Sequence, residues 1–454
     1  MGISIDLIRN QAVRIIGNLD GAVRLNVTTD SRQPVTDGLF VPLAGEHFDG
    51  HAFLREAIQN GASAAFWTLS RPVPADLPAG FPLLFVRDTL RALQSLAKAY
   101  LYRTQPKIIA VTGSNGKTTT KDMVASILSR RFKCYKTQGN HNNHIGVPLT
   151  ILTMPEDTEV LVLEMGMNHF GELTFLSQLA RPDIAIITNI GESHLEYLGS
   201  RAGIAKAKLE ITNGLKKRGT LIIDGDEPLL TNVHTNAFKI IKCGYGEEND
   251  WMITDAEPHI EGYGFSLNHG DEQYFVPVLG KHNVKNAVYA LTVARILGMN
   301  PRSVEEGLKH LQLTEMRFER LVGFGGSTII NDCYNASPSS MKASVETLKA
   351  LPGFDKRVAV LGDMYELGKD EKKMHRSVAD VLTPPITHVV TIGSKGAWIA
   401  DPLRERGDNG VIVRSFSSQE EARHYLAGLL DDRTVMLFKA SRLMELERLV
   451  AALK

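Results

Sequence analysis

An α/β architecture in three parts is the expectation for this chain. Its 454 residues are about three times the usual domain length of roughly 150. From residue 108 onward, short apolar runs ending in polar loops alternate with helical patterns, the order that a parallel sheet requires. The same alternation restarts at Thr328, and the first apolar run leads directly into a glycine-rich loop and a helix.

The elements follow in chain order. Residues 1–17 repeat their apolar positions as an amphipathic helix does. Strands are expected over 23–27, 39–42 and 83–86, with helices over 53–60 and 90–100 and a Pro-rich surface connection over 71–82. The pattern changes near 105, which marks a boundary. Buried strands then fall at 108–111, 160–163, 184–188 and 220–223, each emptying into polar residues at its carboxyl end, where open α/β sheets bind ligands. A helix over 281–298 is closed by Gly298 and Pro301, and a second runs to about 313. From Thr328 the segments TIIND, RVAVLGD, HVVTIG, VIVRSF and TVMLFK alternate with helices as a second doubly wound unit.

Composition narrows the function classes. Lys plus Arg and Asp plus Glu are both 51, with 22% charged and 43% hydrophobic residues, which excludes disordered, collagen-like and coiled-coil chains. A zero balance offers no global field for nucleic acid or an anionic membrane, so small-molecule ligands are expected, with no nucleic-acid partner. Cys134, Cys243 and Cys333 are far apart and form no C-x-x-C, which suits a reducing compartment and argues against disulfides or a thiolate zinc site. The amino-terminal residues lack a basic end followed by an apolar run and cleavage site, and no apolar run reaches about 18 residues, so a cytoplasmic protein without membrane insertion is expected.

Four patterns carry chemistry. In AVTGSNGKTTTK (110–121) a buried strand runs into Gly113, Gly116, Lys117 and Thr118, so that bare N–H groups and a helix start can cradle phosphate, Lys117 can neutralise it and Thr118 can ligate Mg²⁺. The longer G-x-x-x-x-G-K-[ST] pattern fails at Val111; the match is to G-x-N-G-K-T, and a plain glycine-rich turn is the alternative. Glu164 ends an apolar strand, either as a Mg²⁺ carboxylate or as a side chain that has merely reached solvent. His194 stands in the loop after the third strand, as a ligand or as a capping residue. At 100° per residue Ile204, Lys208, Ile211 and Leu215 share one helix face, so Lys208 interrupts an apolar stripe while Lys206 lies opposite and can pair with Glu210. Lys208 either snorkels out or needs a partner or modification. The segment TQGNHNNHIGVPLT reads as a polar binding loop through Asn140, Asn142 and Asn143 rather than as a His141/His144 metal site. Asn331, Asp332 and Asn335 follow a strand in what turn chemistry alone could explain.

Together with DSR (30–32), GLFVPLAGEHFDGHAF (38–53), KHNVKNA, MRFER, NDCYNASPSS and VLGDMYELG, these segments resemble the Mur ligase family over almost the whole chain, and within it the dipeptide-adding branch. The Asp-Asn-Pro-Arg segment of the branches that add a single amino acid is missing. The resemblance implies a mixed α/β domain over 1–104 for a UDP precursor, a central P-loop ATPase with a parallel sheet over 105–315, and a Rossmann-like domain over 316–454 for the incoming dipeptide. It implies an ATP-dependent amide ligase, acting as a monomer, that adds D-alanyl-D-alanine to UDP-N-acetylmuramoyl-tripeptide through an acyl phosphate in peptidoglycan synthesis. Gly113, Ser114, Asn115, Gly116, Lys117, Thr118 and Thr119 would hold the ATP phosphates; Asn283, Arg317 and Asp332 would contact adenine, phosphate and ribose. Thr118, Glu164, His194 and Lys208, the last as a carbamate, would serve two Mg²⁺ ions, with Lys117, Glu164, His194 and Lys208 carrying catalysis. Ser31, Arg32, Asp49 and Gly50 would meet the UDP end, and the asparagine loop the rest of the precursor. The alternatives are another amino-acid-adding ligase, a single-residue Mur ligase or folylpolyglutamate synthetase, and a nucleotide-binding protein that ligates nothing. One departure stands out: FKASR (438–442) has Ala440 where the family usually has glycine.

Overall fold

The computed structural model describes residues 2–19, 21–45, 48–268, 270, 272–407 and 410–454. Residues 46 and 47 of the 38–53 segment lie outside the described residues.

Three sheets follow one another along the chain. The first has six strands in the spatial order Ile3–Ser4, Arg24–Thr28, Gly38–Phe40, Ala62–Thr68, Leu83–Val86 and Arg14–Ile16. Its four inner strands are parallel and its two edge strands antiparallel. The amino-terminal stretch is therefore not one amphipathic helix. A helix covers only Ile5–Arg9, and Arg14–Ile16 pairs with Leu83–Val86 instead, since an edge of the sheet satisfies its N–H and C=O groups.

The second sheet places Lys107–Thr112 between Val160–Glu164 and Ile184–Ile187, with Cys134–Lys136 at one edge. Thr220–Asp224 and Lys239–Gly244 extend it in parallel, and three further strands, Trp251–His259, Gly262–Leu267 and Gln273–Val276, add antiparallel hairpins, nine strands in all. The central sheet is parallel only in its core, and its antiparallel extension was not foreseen. Near-continuous buried runs such as VLVLE and IAII are what a sheet covered on both faces requires. Helices Lys117–Leu128 and His282–Ile296 pack together on one face through Val124, Ile127, Val284, Val288 and Leu291.

The third sheet runs in the order Glu319–Val322, Thr328–Asn331, Thr434–Lys439, Lys356–Gly362, His388–Ile392 and Ile412–Phe416. The last five are parallel, as the alternation from Thr328 predicts, and Glu319–Val322 joins as an unforeseen antiparallel edge. The three cysteines are unpaired, and no helix among the described residues is long and apolar enough to cross a membrane.

Candidate active site

The strand Lys107–Thr112 ends in the glycine-rich loop, and the loop conformation shows why glycine is needed at two places. Gly113 has φ +152°, and a Cβ there would lie 1.8 Å from Thr188 Oγ1. Gly116 caps the helix Lys117–Leu128 with φ +79°, and its Cβ would lie 2.7 Å from Asn286 Oδ1. Both are left-handed or extended-positive conformations that a side chain strains. The loop is further held by the end of the neighbouring strand. Asn115 N–H donates to Asn189 Oδ1 at 2.9 Å, Asn189 Nδ2 and Thr188 Oγ1 donate to Asn115 O at 3.0 and 2.5 Å, and Gly191 N–H donates to Ser114 Oγ at 2.8 Å. A helix start with bare N–H groups is an anion site.

Lys117 folds back over the loop, its Nζ donating to Gly113 O at 2.9 Å and Ser114 O at 3.3 Å. Burial pushes its ammonium below the ordinary lysine range; Glu164 opposes this and Arg317 adds to it. An anion on the loop would relieve both penalties at once.

The loop opens onto a cavity of about 1180 Å³, larger than the 300–1,000 Å³ typical of a site for one small ligand. Its walls come from the second and third sheet units together: Ser114 to Lys117, Glu164, His194 and Asn283 from one, Arg317, Asp332, Tyr334, Glu366 and Lys439 from the other. Glu164 is 2% exposed. Asn142 Nδ2 donates to its Oε1 at 2.9 Å, while Oε2 is buried without a hydrogen-bond partner. An unsatisfied buried carboxylate oxygen beside a phosphate loop is the kind of donor that a hard cation takes. Thr118 Oγ1, buried in the first turn of the helix, receives Arg317 Nη2 at 3.1 Å and keeps lone pairs free. No preassembled group of three or more acidic, His or Cys ligands occurs among the described residues; these donors fit a Mg²⁺ that relies on phosphate oxygens and water to complete its shell.

Lys208 is 2% exposed, on the same buried face as Ile204 and Ile211. Burial, and then the charge of Lys117, push its ammonium well below the lysine range. It does not snorkel. Lys206, on the opposite face, does not pair with Glu210: its Nζ lies 5.9 Å from the Phe170 ring, and Glu210 instead accepts from Gly171 N–H at 2.8 Å, capping the helix Glu172–Ala180. The helix start offers Glu210 several N–H donors, which outcompete one exposed ammonium.

His194 stands at φ +63° as the cap of a short helix, with Nδ1 2.8 Å from Glu366 Oε2 of the third sheet unit. That carboxylate does not lie on the ring N–H line, and Nδ1 has no hydrogen bond of good geometry. The contact with His194 holds the Glu366 carboxyl below the usual range, against burial. Arg317 lies with its guanidinium carbon 3.9 Å from the Tyr334 ring centre. Asp332 Oδ2 accepts from Lys439 Nζ at 2.5 Å and Ser344 Oγ at 2.9 Å. Asn283 is 3% exposed; its Nδ2 donates to Leu279 O at 2.7 Å and its Oδ1 accepts from Asn286 Nδ2 at 2.8 Å.

Not every residue singled out from the sequence reaches this cavity. Asn140, Asn142 and Asn143 line it, but Asn143 Oδ1 accepts from Ile145 and Gly146 N–H groups at 3.1 and 2.9 Å as a turn cap. Thr119 lines it, whereas Gly113, Thr118 and Lys208 do not. Ser31, Arg32, Asp49 and Gly50 are elsewhere, on the first sheet unit. Ser31 Oγ donates to Glu56 Oε2 at 2.5 Å, Arg32 pairs with Asp30 at 2.8 Å, and Asp49 contacts His51 Nδ1 at 2.8 Å and Arg71. Gly50 admits no side chain, since a Cβ would lie 2.7 Å from Leu43 N and O.

The structure adds Asn189, Asn286, Glu366 and Lys439 to the site. Asn189 and Asn286 were legible as polar residues in the segments TNIGESH and KHNVKNA, whereas Glu366 and Lys439 come from distant segments that only the fold brings in. The FKASR departure also resolves: Ala440 is fully buried with a negative φ, and its methyl fills the space left by Gly362, where a Cβ would lie 2.7 Å away.

Known proteins match this chain over most of its length. Residues 111–294 match the Mur ligase middle domain and residues 316–442 the Mur ligase, glutamate ligase domain. A UDP-N-acetylmuramoyl-tripeptide--D-alanyl-D-alanine ligase from Bacillus subtilis is 46% identical over 428 residues, 93% of this chain and 92% of its own. The crystal structure of MurF from Acinetobacter baumannii superposes with a TM-score of 0.85 at 31% identity, covering 100% of this chain and 99% of that one. MurF ligase from Thermotoga maritima in complex with ADP does so with a TM-score of 0.82 at 29% identity, covering 94% and 97%.

Proposed function

The chain belongs to the Mur ligase family, and from that premise we infer that it is the ATP-dependent ligase joining D-alanyl-D-alanine to UDP-N-acetylmuramoyl-tripeptide in peptidoglycan precursor synthesis. The observation that carries the chemistry is the single cavity in which the phosphate loop, the unpaired Glu164 oxygen and Arg317 and Asp332 of the third sheet unit converge. The choice of precursor and dipeptide rests on the whole-length relatives.

In the first step a carboxylate oxygen of the tripeptide attacks the γ-phosphorus and the bond to ADP breaks, giving an acyl phosphate. The amine of the dipeptide then attacks the acyl carbon, phosphate leaves with the C–O electron pair, and the nitrogen gives up one proton to leave the amide. The protein's contribution is positioning and charge compensation. The loop N–H groups and Lys117 hold the phosphates; Arg317, stacked on Tyr334, approaches from the third sheet unit; Asn283 and Asp332 would meet adenine and ribose. Mg²⁺, held by Thr118 and Glu164 with His194 and a Lys208 carbamate serving a second ion, would supply neutralisation of phosphate charge. The region 1–104 takes the UDP end through the Ser31, Arg32, Asp49 and Gly50 surface, and the region 316–454 takes the dipeptide. No step above calls for a second copy of the chain, in keeping with a monomer, and dependence on ATP and a UDP precursor is in keeping with a cytoplasmic reaction.

For Lys208 the neutral amine favoured by burial is the form that adds to CO₂: Nζ bonds to carbon, one proton leaves and an N-carboxylate remains. In ¹³C-bicarbonate the wild type should show a carbamate resonance that Lys208→Ala loses, and short carboxylates should restore part of the variant's activity. A spectrum unchanged by the substitution refutes the carbamate. For the acyl phosphate, tripeptide labelled with ¹⁸O in the reacting carboxyl should deliver one label to the released phosphate. Unlabelled phosphate refutes it.

A further inference from the structure

Asp122 lies on the phosphate-loop helix, 1% exposed, and the steps above make no use of it. Its two oxygens have separate tasks. Oδ1 accepts from Lys136 Nζ at 2.6 Å and lies 3.3 Å from the buried Lys121 Nζ. Oδ2 accepts from both the main-chain N–H of Thr314, at 2.9 Å, and its hydroxyl, at 2.8 Å. Thr314 belongs to the segment that leaves the helix Pro301–Lys309 and enters the strand Glu319–Val322, the connection between the second and third sheet units.

Three residues further on, Arg317 donates to Thr118 Oγ1 at 3.1 Å. Thr118 and Asp122 stand four residues apart and share one face of the helix. The connecting segment is therefore fastened along that face at two points, Thr314 on Asp122 and Arg317 on Thr118. Between and beside them the backbone has little freedom: Met316 and Phe318 flank Arg317 at φ +60° and +55°, left-handed conformations that L-residues hold only where their surroundings fix them. Neutralising Lys121 and Lys136 would occupy Oδ1 alone, so it leaves the two-donor grip of Oδ2 on Thr314 unexplained.

We propose that Asp122 is a positioning residue that pins the start of the connecting segment to the phosphate-loop helix and so sets the Arg317 guanidinium over the phosphate loop. A displacement of about 1 Å in such a group can cost up to about a hundredfold in rate, so the pin acts on turnover of ATP without touching it.

The inference rests on the ATP reading of the Arg317 site, and steady-state kinetics on the full chain separate the two. Asp122→Asn keeps the volume but leaves one acceptor oxygen for donors that now share two. It should lower kcat/KM for ATP about tenfold and leave KM for the UDP precursor unchanged. In an Arg317→Ala background the same substitution should cost nothing further, because the group it positions is gone. Thr314→Val, which removes only the hydroxyl donor, should lower kcat/KM about threefold and likewise have no effect without Arg317; it carries the test should Asp122→Asn not fold. If the losses multiply in the Arg317→Ala background, the pin is overturned and the ATP reading stands. If Arg317→Ala alone turns over as wild type, both are overturned.

Discussion

The Lys439–Asp332 pair gives the sharpest energetic test of how the third sheet unit builds its share of the site. Lys439 ends a central strand at 4% exposure, Asp332 follows its neighbour at 5%, and their charged atoms are 2.5 Å apart. At that distance the attraction is about 7 kcal/mol for an effective dielectric of about 20, but most of it is offset by the desolvation of both ions, so the pair is worth little against an apolar replacement. Removing one partner is different, because it strands the other. Lys439→Met leaves the Asp332 carboxylate with the Ser344 hydroxyl, and Asp332→Asn leaves Lys439 with Asn335 O at 3.2 Å. Each should cost about 3 kcal/mol, the low end for breaking a buried pair, because the cavity admits some water. The double variant should cost no more than either single one, a coupling of about 3 kcal/mol. Of the three tryptophans only Trp398 lies in this unit, on the helix Ala397–Glu405 against His375. Urea unfolding followed by Trp398 fluorescence, with Trp67 and Trp251 changed to Phe, reports the unit selectively through the midpoint at unchanged slope. Single variants within about 1 kcal/mol of wild type, or strictly additive costs, would refute the assignment.

Three further outcomes follow from the same contacts. Asn142→Leu removes the hydrogen bond to Glu164 Oε1 and should raise the Mg²⁺ concentration for half-maximal activity about tenfold or more; an unchanged Mg²⁺ dependence counts against Asn142 as the orienting group. Burial alone would raise the Asp226 carboxyl, but hydrogen bonds from Lys285 and from the Tyr245 and Gly246 N–H groups outweigh it and bring it to about 2. Because this folded-state value is depressed, its stabilisation is complete above about pH 4 and is lost as pH falls toward 2, so the gap between wild type and Asp226→Asn should narrow there by about 2 kcal/mol; a gap constant with pH contradicts this. Ala440→Gly should cost about 1 kcal/mol for the lost methyl and added backbone freedom and leave turnover unchanged; a large gain in turnover would mean that the alanine impairs a phosphate-like turn after all.

Much of the site could be read from residues alone, for identifiable reasons. The phosphate loop was legible because its glycines, lysine and threonine sit within a few residues between a buried strand and a helix. Lys208 was legible because helix geometry turns a sequence into faces, and a lysine within an apolar stripe needs an explanation. What was not legible depends on contacts between distant segments. Glu366 meets His194 only where the second and third sheet units meet, Lys439 meets Asp332 because their strands pair within the third sheet, and Asp122 meets Thr314 across 192 residues of chain; no local spacing encodes any of these. The same holds for the fold. The parallel strands announce themselves as apolar runs, whereas Glu319–Val322 and the strands from Trp251 to Val276 mix glycine and polar residues with their apolar ones, so no continuous apolar run marks them. Residues 14–16 looked helical because their isoleucines fit a helix period, until an unpaired sheet edge claimed them.

The most direct test of the central claim is phosphate release measured with each substrate omitted in turn. The account predicts ATP turnover only when UDP-N-acetylmuramoyl-tripeptide and D-alanyl-D-alanine are both present, with one phosphate released per amide formed. Turnover with folate and glutamate, or amide formation with a single amino acid in preference to the dipeptide, would contradict it.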